Sequence, residues 1–429
     1  MAVETGDPVG KVLAGLVHER PLPHLVERLA ARCDQPFVRN AVPLRELAAV
    51  VAQAQLIWLQ GSLSFPPEPD QWLALAEAYD QLAGRWMELG EWQQALLFCQ
   101  QAADHWRELS KLDPTVDLLG WARTLIRQAE LLGRQGRWPE SYAALQEALP
   151  MLRRLAKSPS PECLESLAIA VNRNGIVLSE LKRREEALAE NREAVAIFRG
   201  LVAGQYSVFA PGLASSLVNL AGRLRELGRH DEAKERFEEA VALRRAQAAE
   251  LPEIFLPGLA LALHNLGAWL EDLERWEEAI PPTEEAVRIR RELARARPAA
   301  FVGELAGSLR NLGVELMEVG RLEDALAATA DAIAGFRAVL GQAPERFAPE
   351  LSRLHFRRCY WLKDLGRPEE LFEAAEEGLR DLEPHVTSSW GDMADHLRSL
   401  YGLYIRTSDQ TGRPPDPEQV DRVRSRLGG

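Results

Sequence analysis

The chain has 429 residues, 46% hydrophobic and 27% charged, a balance that gives a folded protein throughout and excludes an intrinsically disordered one. A formal charge of −13 opposes nucleic acid as the main partner, because coating it requires a basic footprint. Cys33, Cys99, Cys163 and Cys359 lie far apart with no C-x-x-C pair, so neither a disulfide framework nor a zinc site is expected.

Residues 1–68 are the least regular part. Helix-like patterns run over Val9–Glu19, Leu22–Ala31 and Leu44–Leu59, and a proline-rich break, Phe65-Pro66-Pro67-Glu68-Pro69, ends the region. Because a repeat array exposes an apolar face at each end, this region reads as an N-terminal cap or degenerate repeat, with a separate docking module as the alternative. The start, MAVETGDPVG, lacks a basic segment followed by an apolar run, and no stretch approaches 18 uncharged apolar residues. Neither a signal peptide nor a membrane span is read there, and the cytoplasm is the expected compartment.

Residues 69–388 carry seven 46-residue repeats, with the turn at Gly90, Gly136, Lys182, Gly228, Glu274, Gly320 and Gly366. The stretch Phe209–Pro252 shows the unit most plainly. Leu213, Leu217, Leu220, Leu224 and Leu227 recur at steps of four and three and form one helical stripe, Gly228 supplies the left-handed closing residue, and Asp231 and Glu232 open a second helix. One further period reaches Gly412, so residues 389–429 read as a degenerate eighth repeat and C-terminal cap.

The chemistry repeats with the turn. Seven residues before it stand Ala83, Ala129, Gly175, Ala221, Gly267, Gly313 and Cys359, and four before it Trp86, Leu132, Leu178, Leu224, Leu270, Leu316 and Leu362. Small and large side chains at fixed offsets define interlocking helix packing. Trp92, Trp138 and Trp276, two after the turn, are expected to seat the second helix of each hairpin. Phe209, Phe255, Phe301 and Phe347 are expected to plug the joints between hairpins, with Pro211, Pro257 and Pro349 opening the next helix; a fully buried Phe255 would cost about 3–5 kcal/mol on truncation to alanine.

Asn265-Leu266-Gly267, Trp276-Glu277-Glu278-Ala279 and Ala286 together resemble the tetratricopeptide repeat. The period of 46 exceeds the family's usual length and is similar to its long-helix branches and to long bacterial arrays found beside effector and signalling domains. The resemblance implies an all-α fold, a right-handed superhelical solenoid of helix-turn-helix repeats, whose first helices line a concave groove that holds a protein or peptide.

Three groove-side classes follow. Nine residues before the turn lie Gln81, Arg127, Arg173, Asn219, Asn265, Asn311 and Arg357. Their asparagines suit pairing with an extended peptide backbone or, equally, bridging between scaffold helices. Ten and thirteen before the turn, the array begins acidic, with Asp80 and Glu77, and ends basic and aromatic, with Arg310, Arg353, Phe356, Arg357, Tyr360 and Lys363 close in register. His264 joins this face. The cluster is the candidate partner site and suits an acidic segment, with a solvated charged face as the alternative. The family's carboxylate clamp is not claimed, because only Asn265, Asn311 and Arg357 match it, in the wrong combination of repeats. Arg107, Arg153, Arg199, Arg245, Arg291 and Arg337 form a ladder seventeen after the turn, read as cations at helix C-termini, with a polyanion stripe as the alternative.

No catalytic signature is found. Gly6-Asp7-Pro8-Val9-Gly10-Lys11 is too short for a phosphate loop and lacks the following Ser or Thr, and neither H-E-x-x-H nor G-x-S-x-G occurs. The expectation is a non-catalytic adaptor or regulatory scaffold without cofactor or metal. A sensor of a small peptide or signal molecule that changes superhelix curvature is the alternative, and an enzyme within residues 1–68 or a self-assembling scaffold stand behind it.

Overall fold

The computed structural model describes residues 42–61, 67–113, 117–204, 207–385 and 391–427, and among them it contains helices and no strand. The patterns at Val9–Glu19 and Leu22–Ala31 lie outside the described residues. The chain divides into two compact units, Met1–Ala233 and Lys234–Gly429, and the described residues of each form an all-α run of helical hairpins. The first holds α1 (Val42–Gly61), α2 (Pro69–Leu89), α3 (Trp92–Leu112), α4 (Leu118–Arg134), α5 (Trp138–Leu155), α6 (Pro161–Glu180), α7 (Arg184–Ala203) and α8 (Ala210–Glu226). After α9 (His230–Glu250), which includes the boundary, the second holds α10 (Pro252–Asp272), α11 (Trp276–Ala296), α12 (Pro298–Glu318), α13 (Leu322–Val339), α14 (Pro344–Asp364), α15 (Pro368–Leu382), α16 (Gly391–Thr411) and α17 (Pro417–Leu427).

The turns explain the period. Gly90, Gly136, Lys182, Gly228, Glu274, Gly320, Gly366 and Gly412 all have φ between 56° and 83°, the left-handed region that ends a helix. In each of the first seven, the amide of the next residue donates to the carbonyl five positions before it, as Arg183 does to Leu178 and Arg321 to Leu316, both at 2.8 Å. That next residue is an arginine in most turns, and its fork grips the acid three residues on. Arg183 Nε and Nη2 reach Glu186 at 2.7 Å, and Arg275 reaches Glu278 at 2.7 and 2.5 Å. The acids at the helix starts therefore hold a specific side chain as well as facing the helix dipole.

Helix starts differ from the sequence reading. α8 begins at Ala210 with Pro211 in its first turn, as expected, but α10 begins at Pro252 and α14 at Pro344, which places Pro257 and Pro349 inside the helices. The start signal is the series Pro252, Pro298 and Pro344, itself 46 residues apart, where the missing amide hydrogen has no intrahelical partner to lose. Phe255 thus falls in the first turn of α10 and is half-buried, as is Phe347, whereas Phe209 and Phe301 are 9% and 8% exposed. Phe347, though half-buried, still packs at its joint, its ring 5.9 Å from that of Phe336 and against Gly303.

Packing follows the small-residue offsets. At Gly267 a Cβ would stand 2.1 Å from Thr283 Oγ1, and at Gly313 2.6 Å from Thr329 Oγ1, so a polar β-branched residue on the second helix requires glycine on the first. Where the second helix carries Cys99 or Leu145 instead, the first carries Ala83 or Ala129. In the first unit Trp106, Leu125, Leu145 and Leu152 are almost fully buried in one core. In the second, Leu351, Leu362, Leu397 and Tyr404 occupy another that reaches from α11 to α17.

The arginine ladder has acidic partners that sequence reasoning did not assign. Arg107 reaches Glu147 at 2.8 Å, Arg153 reaches Glu193 at 3.2 Å, Arg291 reaches Asp331 at 2.9 Å, and Arg245 and Arg337 reach Glu285 and Glu377 at 2.5 Å. Each acid lies 40 residues further on, eleven after the next turn. These arginines staple successive second helices and are not an open polyanion stripe. Among the described residues one helix, α10, is long and apolar enough by length and composition to cross a membrane, a feature the sequence reading did not single out. Its buried face, with Leu259, Leu263 and Trp269, packs within the repeat array against α11.

Candidate functional site

Of the residues singled out in the sequence, Asn219 lies in the first unit and the others in the second. Asn219 Nδ2 donates to Asn172 Oδ1 at 3.2 Å, and Asn191 Nδ2 donates to the same oxygen at 3.0 Å. Two amides from α7 and α8 converge on one from α6, so Asn219 bridges scaffold helices. Arg127 obeys the same register, pairing with Asp80, which also accepts from Thr124 at 3.0 Å. The residue nine before one turn meets the residue ten before the preceding turn. The acidic start of the array is therefore already neutralised at Asp80.

In the second unit the same register sets Asn311 against His264 and Arg357 against Arg310; the first two take other partners, and the second pair is like-charged. His264 turns to Ser308, its Nδ1 lying 3.3 Å from Oγ. Ser308 Oγ in turn accepts from Arg290 Nη1 at 2.5 Å, and Arg290 also donates to the Glu304 carbonyl at 2.9 Å. Ser308 is fully buried and Arg290 is 3% exposed. Burial pushes His264 down to about 3, and the Arg290 and Arg310 charges add to the shift, so the ring is neutral. Asn311 accepts from both Nε and Nη2 of Arg310, at 3.1 and 3.0 Å. Half-buried Asn265 makes no side-chain hydrogen bond among the described residues.

Arg310 Nη1 lies 2.5 Å from Glu350 Oε2, and Arg353 Nη2 lies 3.2 Å from the other oxygen of the same carboxylate. Glu350 was not singled out in the sequence and takes much of the charge from the cluster. Arg357 is different. It is half-buried and forms no ion pair among the described residues; its guanidinium stands 6.0 Å from the Trp361 ring. Burial pushes its pKa down, Glu271 opposes the shift, and Arg310 and Arg353 add to it. Glu271 itself is raised by burial, against the pull of Arg310 and Arg357.

Below Arg357 on α14, Phe356 stacks between two rings, 4.4 Å from Tyr360 and 4.5 Å from His396 of α16. Tyr360 is 37% exposed and carries the Lys363 ammonium 5.2 Å from its ring centroid. Phe356 is thus a support, with Tyr360 and Lys363 at the surface. His396 also lies 2.9 Å from Ser352 Oγ. Both Ser–His pairs of this unit have serines at 0% or 1% exposure, so neither hydroxyl is presented to a substrate. What the arrangement offers is recognition by one unpaired guanidinium, an unpaired amide and an aromatic ring.

The repeat register, the left-handed turns and the small-residue packing find their counterpart in two family models. Both are described as tetratricopeptide repeat and match residues 165–246 and 259–294. The chain contains tetratricopeptide repeats over these residues. Among crystal structures, the apo form of RapI resembles this repeat protein at 14% identity, covering 73% of this chain and 98% of its own with a TM-score of 0.51. A Rap protein complexed with Competence and Sporulation Factor is 15% identical over 94% of this chain and 97% of that one, with a TM-score of 0.49. BtubC from P. vanneervenii is 19% identical over 58% of this chain and 92% of its own, with a TM-score of 0.47. At this identity the RapI likeness is one of fold. No curated protein matches the chain.

Proposed function

We propose that the chain captures a segment of a protein partner along the first helices of its second unit, with an acidic stretch of that segment against α14. Tetratricopeptide arrays are in general scaffolds for protein interaction rather than catalysts, and this chain carries such repeats. The observation that carries the finer reading is Arg357, a half-buried guanidinium with no ion pair beside Arg310 and Arg353. A desolvated cation that feels Glu271 and Glu318 but closes an ion pair with neither gains from an incoming carboxylate, which it can bind with two parallel hydrogen bonds.

The neighbouring first helices add polarity to the face. Ile254 and Leu261 on α10 are 64% and 50% exposed, and at the offset of Leu261 stand Gly307 on α12 and Arg353 on α14. A Cβ at Gly307 would meet nothing within 4 Å, so the middle of the face is open. The fitting segment has apolar side chains for α10, backbone groups for Asn265, and carboxylates for Arg353 and Arg357, with Tyr360 and Lys363 flanking them. His264, Arg310, Asn311 and Phe356 support this surface from beneath.

Affinity capture from the source lysate with the intact chain and with an Arg353→Gln/Arg357→Gln variant of unchanged helicity tests the reading. A partner retained by the first and lost from the second supports it. The same partner held equally by both places binding elsewhere.

A further inference from the structure

The first unit contains a pocket of about 260 Å³ between α4 and α6, apart from the face just described. Its floor is apolar, formed by Ala129 and Val177, each 1% exposed, with half-buried Ile176 at the side. The Trp138 ring forms a wall by lying against Gly133, where a Cβ would stand 3.0 Å from the ring. The corresponding residues three before the flanking turns are Met87 and Ser179, so the ring can take this position because this repeat has glycine there. The volume falls just below the roughly 300–1,000 Å³ that drug-sized ligands fill, which suits one ring or branched chain.

The rim carries surplus positive charge. Arg173 Nη2 lies 2.9 Å from Glu130 Oε2, and Arg134 Nη2 lies 3.2 Å from Oε1 of the same residue. Two cations share one carboxylate. The cause is the register: Arg127, one repeat earlier, meets Asp80, but Arg173 meets Ile126 and has to reach sideways to Glu130. Its Nε is buried without a hydrogen-bond partner, and burial holds its guanidinium below the usual arginine range.

We infer that this pocket binds an apolar group joined to a carboxylate, such as the C-terminal residue of a peptide with a large apolar side chain. The side chain enters between Trp138 and Ile176, and the carboxylate meets Arg173 and Arg134 at the rim, where it balances the second cation. This inference does not rest on the second unit, and Arg357→Gln leaves it untouched.

The probes are N-acetyl-phenylalanine and its amide, which share a ring and differ in charge, titrated into the full chain by calorimetry. The acid is expected to bind at least about tenfold more tightly than the amide. Arg173→Gln, which leaves Glu130 paired with Arg134, is expected to erase that difference, and Ile176→Trp, which fills the pocket, to abolish binding of both while the melting temperature holds. 3-Phenylpropionate separates the two sources of such a ligand: binding as tight as the N-acetyl compound points to a small free acid, weaker binding to a chain end. Equal binding of acid and amide to the unmodified chain, no binding of either, or binding unaffected by both substitutions would overturn the proposal.

Discussion

Thr283 Oγ1 donates to Glu315 Oε1 at 2.8 Å, and Oε2 of that fully buried carboxyl meets no hydrogen-bond partner. Equivalent positions elsewhere hold Leu131, Val177, Trp269 and Trp361, and the arginines Arg85 and Arg223, so Glu315 is the one acid at an offset that is apolar in most repeats. Burial pushes it up to about 8, with Thr283 opposing and Glu271 and Glu284 adding. A raised pKa means that the folded state keeps a proton the unfolded chain has released. The associated stability is full below about 4.5 and declines as pH rises to about 8, at roughly 1.4 kcal/mol per pH unit. Glu315→Gln is expected to lack this decline, so that urea midpoints of variant and parent diverge between pH 5 and pH 8. Parallel curves across that range would remove Glu315 as the cause.

His264 acts in the opposite direction. Its depressed pKa means that stability is present above about 6.5 and is lost as pH falls toward 3. Between pH 6.5 and pH 5 the loss is expected to be about 2 kcal/mol, and His264→Gln should remove that acid-side slope. Chemical denaturation at the two pH values reads it directly.

Lys182 and Glu274 hold left-handed turns at φ of 65° and 56° where the other turns use glycine. A side chain there costs roughly 1 kcal/mol. Lys182→Gly and Glu274→Gly are each expected to stabilise the chain by about that amount, and Gly320→Ala to destabilise it similarly. Thermal melts showing no gain for either glycine would mean that contacts of the native side chain offset the strain.

Phe301 is buried, with the Arg297 guanidinium 4.9 Å from its ring, while Phe255 is half-buried. Phe301→Ala is expected to cost about 3–5 kcal/mol and Phe255→Ala about 1–2 kcal/mol. Equal losses in denaturant unfolding would show that the two joints are packed alike.

The hairpin register was legible because a left-handed residue, a large apolar residue four before it, leucine in all but Trp86, and a small residue seven before it recur without a slip. Helix starts were misread because Phe-x-Pro is the more conspicuous repeat, although Pro252, Pro298 and Pro344 carry the period too. The ladder's partners were also present as Glu147, Glu193, Glu285, Asp331 and Glu377; what was missing is that an interhelix ion pair competes with the helix dipole for the same arginine. Candidate binding residues were the least legible. Whether an arginine faces a ligand or the scaffold depends on which acid lies across the neighbouring helix, and Glu350, which takes Arg310 and Arg353 but leaves Arg357, sits outside the offsets that mark the face.

The staples at a fixed spacing of 40 residues make the repeats of each unit interchangeable at their joints. Excising one whole period from the first unit would bring Arg107 opposite Glu193 in place of Glu147, with donor still facing acceptor and stripe still facing stripe. A cut of any other length would turn core leucines outward and set unlike offsets against one another. The molecule can therefore be lengthened or shortened only in steps of one repeat, and its reach is quantised by the same arginines that hold its joints.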